Sequence, residues 1–220
     1  MKTVIFDLDG TLADTSRDLI EAANACFIGL GLGAQLDPVA DARTAFLGGR
    51  AMLRLGFKRL GIEDEHAVDG QYPILLDHYE AGIDVYTTLY PGAMDAIDVL
   101  RSRGYRIGIC TNKPEGLAET LMTRLGVRGA FGSLVGADTL PVRKPDPAPY
   151  LAAVTRAGGD PARSLLVGDT DTDRMTSRAA GVPSILVTFG PAGDSVAALD
   201  PEGLLPDYAA LPRLVEALIG

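Results

Sequence analysis

The 220-residue chain predicts an α/β fold, a doubly wound parallel-sheet (Rossmann-like) core carrying an inserted all-helical domain. Three observations predict it. Unbroken apolar runs, VIF at 4–6, IGIC at 107–110, LLV at 165–167 and ILV at 185–187, read as strands covered on both faces, since a strand with one wet face alternates. Segments of helical period lie between the later runs, as in a sheet wrapped by helices. Between the first run and the next, near residue 105, there are helical signatures, no convincing strand, and too much chain for one crossover.

The first strand covers 4–6. Helical spacing over 16–30 puts Leu19, Ile20, Ala23, Phe27 and Leu30 on one face, with Ser16 suited to cap its start. RAMLRLGFKRLG at 50–61 reads as a second helix stopped by glycine, and 65–80 as a third. YPG at 90–92 marks the return to the sheet. The core is therefore expected at 1–14 and 87–220, and the helical insertion at 15–86. Strand 107–110 leads to a helix over 115–125, SLVGAD at 133–138 is a further strand, and PAPYLAAVTRA at 147–157 is a helix. Strand 165–167, a helix over 172–180, strand 185–187 and the closing helix PRLVEALIG complete the chain. No internal repeat or low-complexity segment interrupts this order.

Composition narrows the function classes. An apolar fraction of 47% and a charged fraction of 22% are those of an ordinary globular protein. The net charge of −9 argues against nucleic acid as a partner, so an anionic ligand needs a local cationic pocket. Cys26 and Cys110 form no CxxC pair and too few sites for a disulfide framework; they read as apolar filler in a reducing cytosol. Asp7 ends the first apolar run before the roughly 7–15 residues of a signal-peptide core, and nothing approaches the ~20 apolar residues of a membrane span. A cytoplasmic monomer or homodimer without membrane contact is expected.

The polar residues at the strand ends carry the chemistry. In an open α/β sheet ligands bind beyond the carboxyl ends of the strands. VIF runs into Asp7 and Asp9, IGIC into Thr111 and Asn112, LLV into Gly168 and Asp169, and the loop before 147–157 holds Lys144. Two acids so close resist ionising together unless a cation or fixed donors neutralise them. Converging Asp7, Asp9 and Asp169 are hard oxygen ligands suited to Mg²⁺. Lys144 and the Thr111 hydroxyl are then placed to hold phosphate oxygens. Asp7 faces phosphorus as the nucleophile, and Gly10 lets the chain turn so that Asp9 serves the leaving oxygen as acid and base.

Each residue alone has a plainer reading. DG is a common turn, Lys144 a common surface lysine, and Thr111 with Asn112 a common helix cap. Asp169, Asp171 and Asp173 imitate the start of a calcium loop, but Arg174 stands where glycine is needed and Ala180 where glutamate is, so an EF-hand is rejected. His66 and His78 read as surface histidines, and Arg50, Arg54 and Lys58 as a solvated helix face.

Together DLDGT at 7–11, TN at 111–112, KPDP at 144–147 and GDTDTD at 168–173 resemble the four ordered motifs of the haloacid dehalogenase-like phosphatases. The resemblance implies Asp7 as nucleophile, Asp9 as acid/base, Thr111 and Asn112 as phosphate holders, Lys144 as charge neutraliser, Asp169 as metal ligand and Asp173 as its support. Within that family, DLDGTLADTSRDL, TNK at 111–113 and the helical insertion look most like phosphoglycolate phosphatases. The insertion is then a mobile cap that closes over a small phosphorylated metabolite, with Gly48, Gly49 and Arg50 as the loop reaching it.

A phosphosugar mutase sharing the aspartyl-phosphate is the second reading, separable by measuring phosphate release against isomer formation. A dehalogenase resembles this fold but lacks the second acid, which Asp9 supplies. A phosphonate-cleaving relative needs an imine-forming lysine in the insertion, where Lys58 stands alone and unmarked. A non-enzymatic phospho-receiver module would leave the insertion unexplained.

Overall fold

A computed structural model describes all residues, Met1–Gly220. The chain divides into two compact units, Met1–Ala13 with Leu89–Gly220, and Asp14–Thr88. β1 (Thr3–Phe6) opens the first unit; β2 (Ala13–Asp14) leads into α1 (Ser16–Gly29), α2 (Ala42–Ala45), α3 (Gly49–Arg59) and α4 (Glu65–Ala81), and β3 (Thr88–Leu89) leads back. Then follow α5 (Ala93–Ser102), β4 (Arg106–Cys110), α6 (Glu115–Arg124), β5 (Ser133–Val135) and α7 (Ala148–Arg156). β6 (Ser164–Gly168), α8 (Asp171–Ala180), β7 (Ser184–Val187), β8 (Gly203–Leu205) and α9 (Leu211–Ile219) complete the chain.

All the expected apolar runs are strands. They join β8 in one six-stranded parallel sheet of order β5-β4-β1-β6-β7-β8, doubly wound by the helices between them. Every residue of β1, β6 and β7 is buried, which is why those runs do not alternate. Phe6 stands beside Ile109 on one flank and Val167 on the other, so the residues that follow β1, β4 and β6 emerge together at one edge. One face of the sheet packs Ile5, Cys110, Val135 and Leu166 against Tyr150, Ala153 and Val154 of α7. The Tyr150 hydroxyl, whose ring would otherwise bury a lone polar atom, lies 2.6 Å from the Ser164 hydroxyl.

Five elements lay outside the expected order, the short β2, α2 and β3 together with α5 and β8. α5 buries Ala93, Ala96, Ile97 and Leu100, an i, i+3, i+4, i+7 stripe whose apolar groups are small at the first two positions. β8 is three residues long and exists by pairing with β7 rather than by its own pattern. The start of α1 also differs from expectation. Ser16 is its first residue rather than its cap, and its amide and hydroxyl donate to Asp14, at 3.1 and 2.6 Å. Leu30 is not on the buried face: it follows the last helical residue and is exposed.

The helical unit has its own core, with Ile20, Ala23 and Phe27 of α1 against Leu53 and Phe57 of α3 and Leu75 and Tyr79 of α4. Phe27 meets Phe57 edge-on at 5.1 Å between centroids. Gly56 makes that approach possible, because a Cβ there would stand 2.2 Å from the Phe27 ring. The buried Asp18 accepts from the Tyr86 and Thr87 amides and the Thr87 hydroxyl, tying the start of α1 to the returning chain. Both cysteines are buried, and burial pushes their thiols up, to about 11 for Cys26 and about 12 for Cys110. No helix is long and apolar enough to cross a membrane.

Candidate active site

The carboxyl edge of the sheet gathers the polar residues that follow the central strands. Asp7 leaves β1 with its amide still donating to the Val167 carbonyl of β6 at 2.8 Å, and the Thr111 amide donates to the Val135 carbonyl of β5 at 2.9 Å. The sheet's own ladder thus fixes where both side chains start. Gly10 takes φ of 79°, and its amide donates to the Ala13 carbonyl, a left-handed turn that lets the chain double back after Asp9.

Lys144 lies buried between two acids, its ammonium 3.0 Å from Asp7 Oδ1 and 2.6 Å from Asp173 Oδ1. Burial opposes its charge, yet Asp173 and Asp7 outweigh burial and hold its pKa above the ordinary lysine range. Asn112 pins this lysine from behind by donating to the Lys144 carbonyl at 3.0 Å. Asp173 is spent on structure. Its Oδ2 accepts from the Asp169 amide and from both the amide and the hydroxyl of Thr170; the bond from the Thr170 amide, with the Asp173 amide donating back to the Thr170 hydroxyl oxygen at 3.3 Å, makes the capping box that starts α8. Gly168 leaves room for this, since a Cβ there would lie 2.4 Å from that of Asp173.

Oxygens of Asp7, Asp169 and Asp173 lie within 4.8 Å of one another. Asp169 accepts at Oδ1 from the Thr11 hydroxyl at 3.0 Å, while its Oδ2 is buried without a hydrogen-bond partner. Burial, followed by repulsion from Asp173 and Asp7, holds the Asp169 carboxyl well above the ordinary aspartate range. Burial likewise pushes Asp7 up to about 6, against the pull of Lys144. An orphaned carboxylate oxygen among crowded hard ligands fits a hard divalent cation. Asp7 and Asp169 are the carboxylates with the capacity to hold it.

Asp9 stands apart from that cluster. Its two carboxylate oxygens lie 2.8 and 3.0 Å from the ammonium of Lys113, a side chain only 3% exposed. The Thr111 hydroxyl oxygen accepts from the Lys113 amide at 3.1 Å, which leaves the hydroxyl proton to be donated elsewhere. The two acids of the DLD stretch therefore have different surroundings, one beside Lys144 and the clustered acids, the other on Lys113. Four carboxylates meet two ammonium groups here, so full ionisation leaves two negative charges in excess.

Asp7, Lys144 and Asp169 thus meet at one sheet edge. Asp9 and Thr111 join that edge through Lys113, and Asn112 reaches it through the Lys144 backbone. Arg50 is engaged within the helical unit, 3.1 Å from Asp69 and with its guanidinium 3.8 Å from the Tyr72 ring centre. His66, His78 and Lys58 are exposed. Sequence reasoning gave Lys113 and Thr11 no role of their own, although both stand inside motif stretches, TNK at 111–113 and DLDGT at 7–11.

A family model described as haloacid dehalogenase-like hydrolase matches residues 1–181. A phosphoglycolate phosphatase of Agrobacterium fabrum is 38% identical over 220 residues, covering 98% of this chain and 93% of the relative. Among solved structures, a protein of Haemophilus somnus 129pt described as a predicted phosphoglycolate phosphatase superposes with a TM-score of 0.85 at 24% identity, over 97% of both chains. A Thermotoga maritima chain described as a β-phosphoglucomutase superposes at 0.73 and 21% identity, over 99% of this chain and 100% of that one. With the four ordered motifs on the edge of its parallel sheet and a family match spanning most of its length, the chain belongs to the haloacid dehalogenase-like hydrolases.

Proposed function

We propose that the protein is a Mg²⁺-dependent phosphatase that hydrolyses a small phosphate monoester, 2-phosphoglycolate or a close relative of it, through a phosphoryl group carried on Asp7. The division of the DLD stretch carries this reading: two carboxylates two residues apart sit in different electrostatic settings, as a nucleophile and an acid/base must. The relatives' phosphoglycolate phosphatase activity supports the substrate class.

Asp7 and Asp169 would hold the Mg²⁺, which would supply positive charge beside the phosphoryl oxygens and favour the ionised form of both acids. Lys144 holds Asp7 in place and adds its own charge beside the transferring group. The Thr111 hydroxyl donates to a phosphoryl oxygen. A free oxygen of Asp7 attacks phosphorus; the Asp7–phosphorus bond forms as the ester bond breaks, and Asp9 gives its proton to the departing alkoxide. Asp9, now ionised, takes a proton from water. The water oxygen attacks phosphorus, the aspartyl bond breaks, and inorganic phosphate leaves with Asp7 regenerated. Asn112 and Asp173 act by fixing Lys144 rather than by touching the substrate. In this reading the helical unit Asp14–Thr88, inserted directly after the strand that carries the nucleophile, serves as the cap that selects the organic group.

The test is a screen of phosphate esters with and without Mg²⁺, on the wild type and on Asp7→Asn, which removes the nucleophile at constant side-chain size. Phosphate release that needs both the metal and Asp7 supports the reading. Turnover by purified Asp7→Asn, or isomer formation from sugar phosphates in place of phosphate release, contradicts it.

A further inference from the structure

Lys113 is the one buried cation at the sheet edge that the chemistry above does not use. Its backbone is held on both sides, the amide donating to the Thr111 hydroxyl oxygen and the carbonyl accepting from the Ala137 amide at 2.9 Å. Its ammonium addresses both oxygens of a carboxylate, that of Asp9, at 2.8 and 3.0 Å. Asp9 is the more open partner, with a side chain 19% exposed against 3% for Lys113. The ammonium is thus carried on a held backbone and a buried side chain, and the carboxylate it meets is the more exposed of the two.

The acid/base must turn one oxygen to the leaving oxygen of the ester, which draws that oxygen away from the ammonium. Weakening a buried ammonium's contact with an anion is costly unless another anion takes the place. The leaving oxygen of an ester of a 2-hydroxy acid carries such an anion one carbon away. We propose that Lys113 is a specificity-determining residue that receives the substrate's own carboxylate as Asp9 swings to the ester oxygen, so that phosphate esters of 2-hydroxy acids are preferred over esters without an anionic neighbour. This rests on the phosphatase reading and adds to it which side chain reads the acid and why the acid/base is held until the acid arrives.

The test is a cycle of two changes, one in each partner, read as kcat/KM in Mg²⁺. The enzyme is wild type, Lys113→Met or Lys113→Arg; the substrate is 2-phosphoglycolate or its neutral carboxamide. Wild type is expected to prefer the carboxylate by about 10- to 100-fold, the range of a charge-assisted hydrogen bond. Lys113→Met is expected to lose that preference, with the loss for the carboxylate substrate exceeding any loss shared by both, and Lys113→Arg to restore part of it. A general structural or Asp9-only role lowers both substrates equally and leaves the ratio unchanged, which overturns the inference while the phosphatase reading stands. A wild type that hydrolyses 2-phosphoglycolate and its carboxamide equally well does the same without any variant, so a misfolded Lys113→Met cannot shelter the idea. A wild type inert toward every phosphate ester overturns both.

Discussion

Asp169→Asn separates a metal ligand from an acid kept for stability. In the metal-free chain this carboxylate sits among Asp7 and Asp173 with Oδ2 buried and unbonded, and its pKa is held well up by burial. Asparagine keeps an oxygen for the Thr11 hydroxyl and replaces the orphaned oxygen by a donor facing the other acids. A buried acceptor without a partner costs about 1–3 kcal/mol, so the metal-free variant is expected to gain about that much. For a chain of this size that raises Tm by about 2–12 °C. Mg²⁺ at about 100 times its Kd stabilises the wild type by about 2.7 kcal/mol, a rise of roughly 5–10 °C, and is expected to leave the variant unchanged. The assay is thermal unfolding followed by circular dichroism, with chelator and with Mg²⁺. A variant less stable than wild type in chelator and still raised by Mg²⁺ would refute the assignment.

Lys144→Met strips Asp7 and Asp173 of their shared counter-charge; urea unfolding should show a loss of about 3–5 kcal/mol, and activity should vanish. Affinity for Mg²⁺ should depend on pH through Asp7. Its carboxyl is raised by burial from 3.8 to about 6, so the metal-free fold keeps a proton that the unfolded chain has already shed. The stability from that proton is full below the unfolded value and lost as pH rises through about 6. Because Mg²⁺ must displace the proton, calorimetric titration should show its Kd rising at least about tenfold per unit of pH below that point. A Kd constant from about pH 5 to about pH 7 would contradict the raised Asp7.

The sheet was legible because its strands are buried on both faces, so IGIC and LLV could be read from continuity alone. Its edge was not: β8 has three residues and a half-exposed pattern, and only the neighbouring β7 makes it a strand. The site was legible where a side chain ends a strand, as Asp7 and Asp169 do, because the ladder fixes both the position and the direction. It was less legible where a loop decides. Asp9 was expected beside the metal with Asp7, yet the turn at Gly10 puts its carboxylate on Lys113, a partner 104 residues away. Asn112 was expected on phosphate, and the loop carrying Lys144 comes close enough to claim its amide. The Thr170–Asp173 capping box could have been found from the T-x-x-D spacing, and it explains why Asp173 is committed to Lys144 and the backbone.

The central claim is that Asp7 carries the phosphoryl group while Asp9 moves protons. Asp9→Asn should slow turnover by about 10²- to 10⁴-fold, and hydrolysis of the intermediate suffers with it. The most direct measurement is to mix this variant with Mg²⁺ and 2-phosphoglycolate, quench in acid, and weigh the proteolytic peptide that contains residue 7. The peptide is expected to gain the mass of one phosphoryl group on Asp7, absent without Mg²⁺. A variant that turns over substrate while this peptide stays unmodified, or while another residue carries the phosphoryl group, would contradict the account.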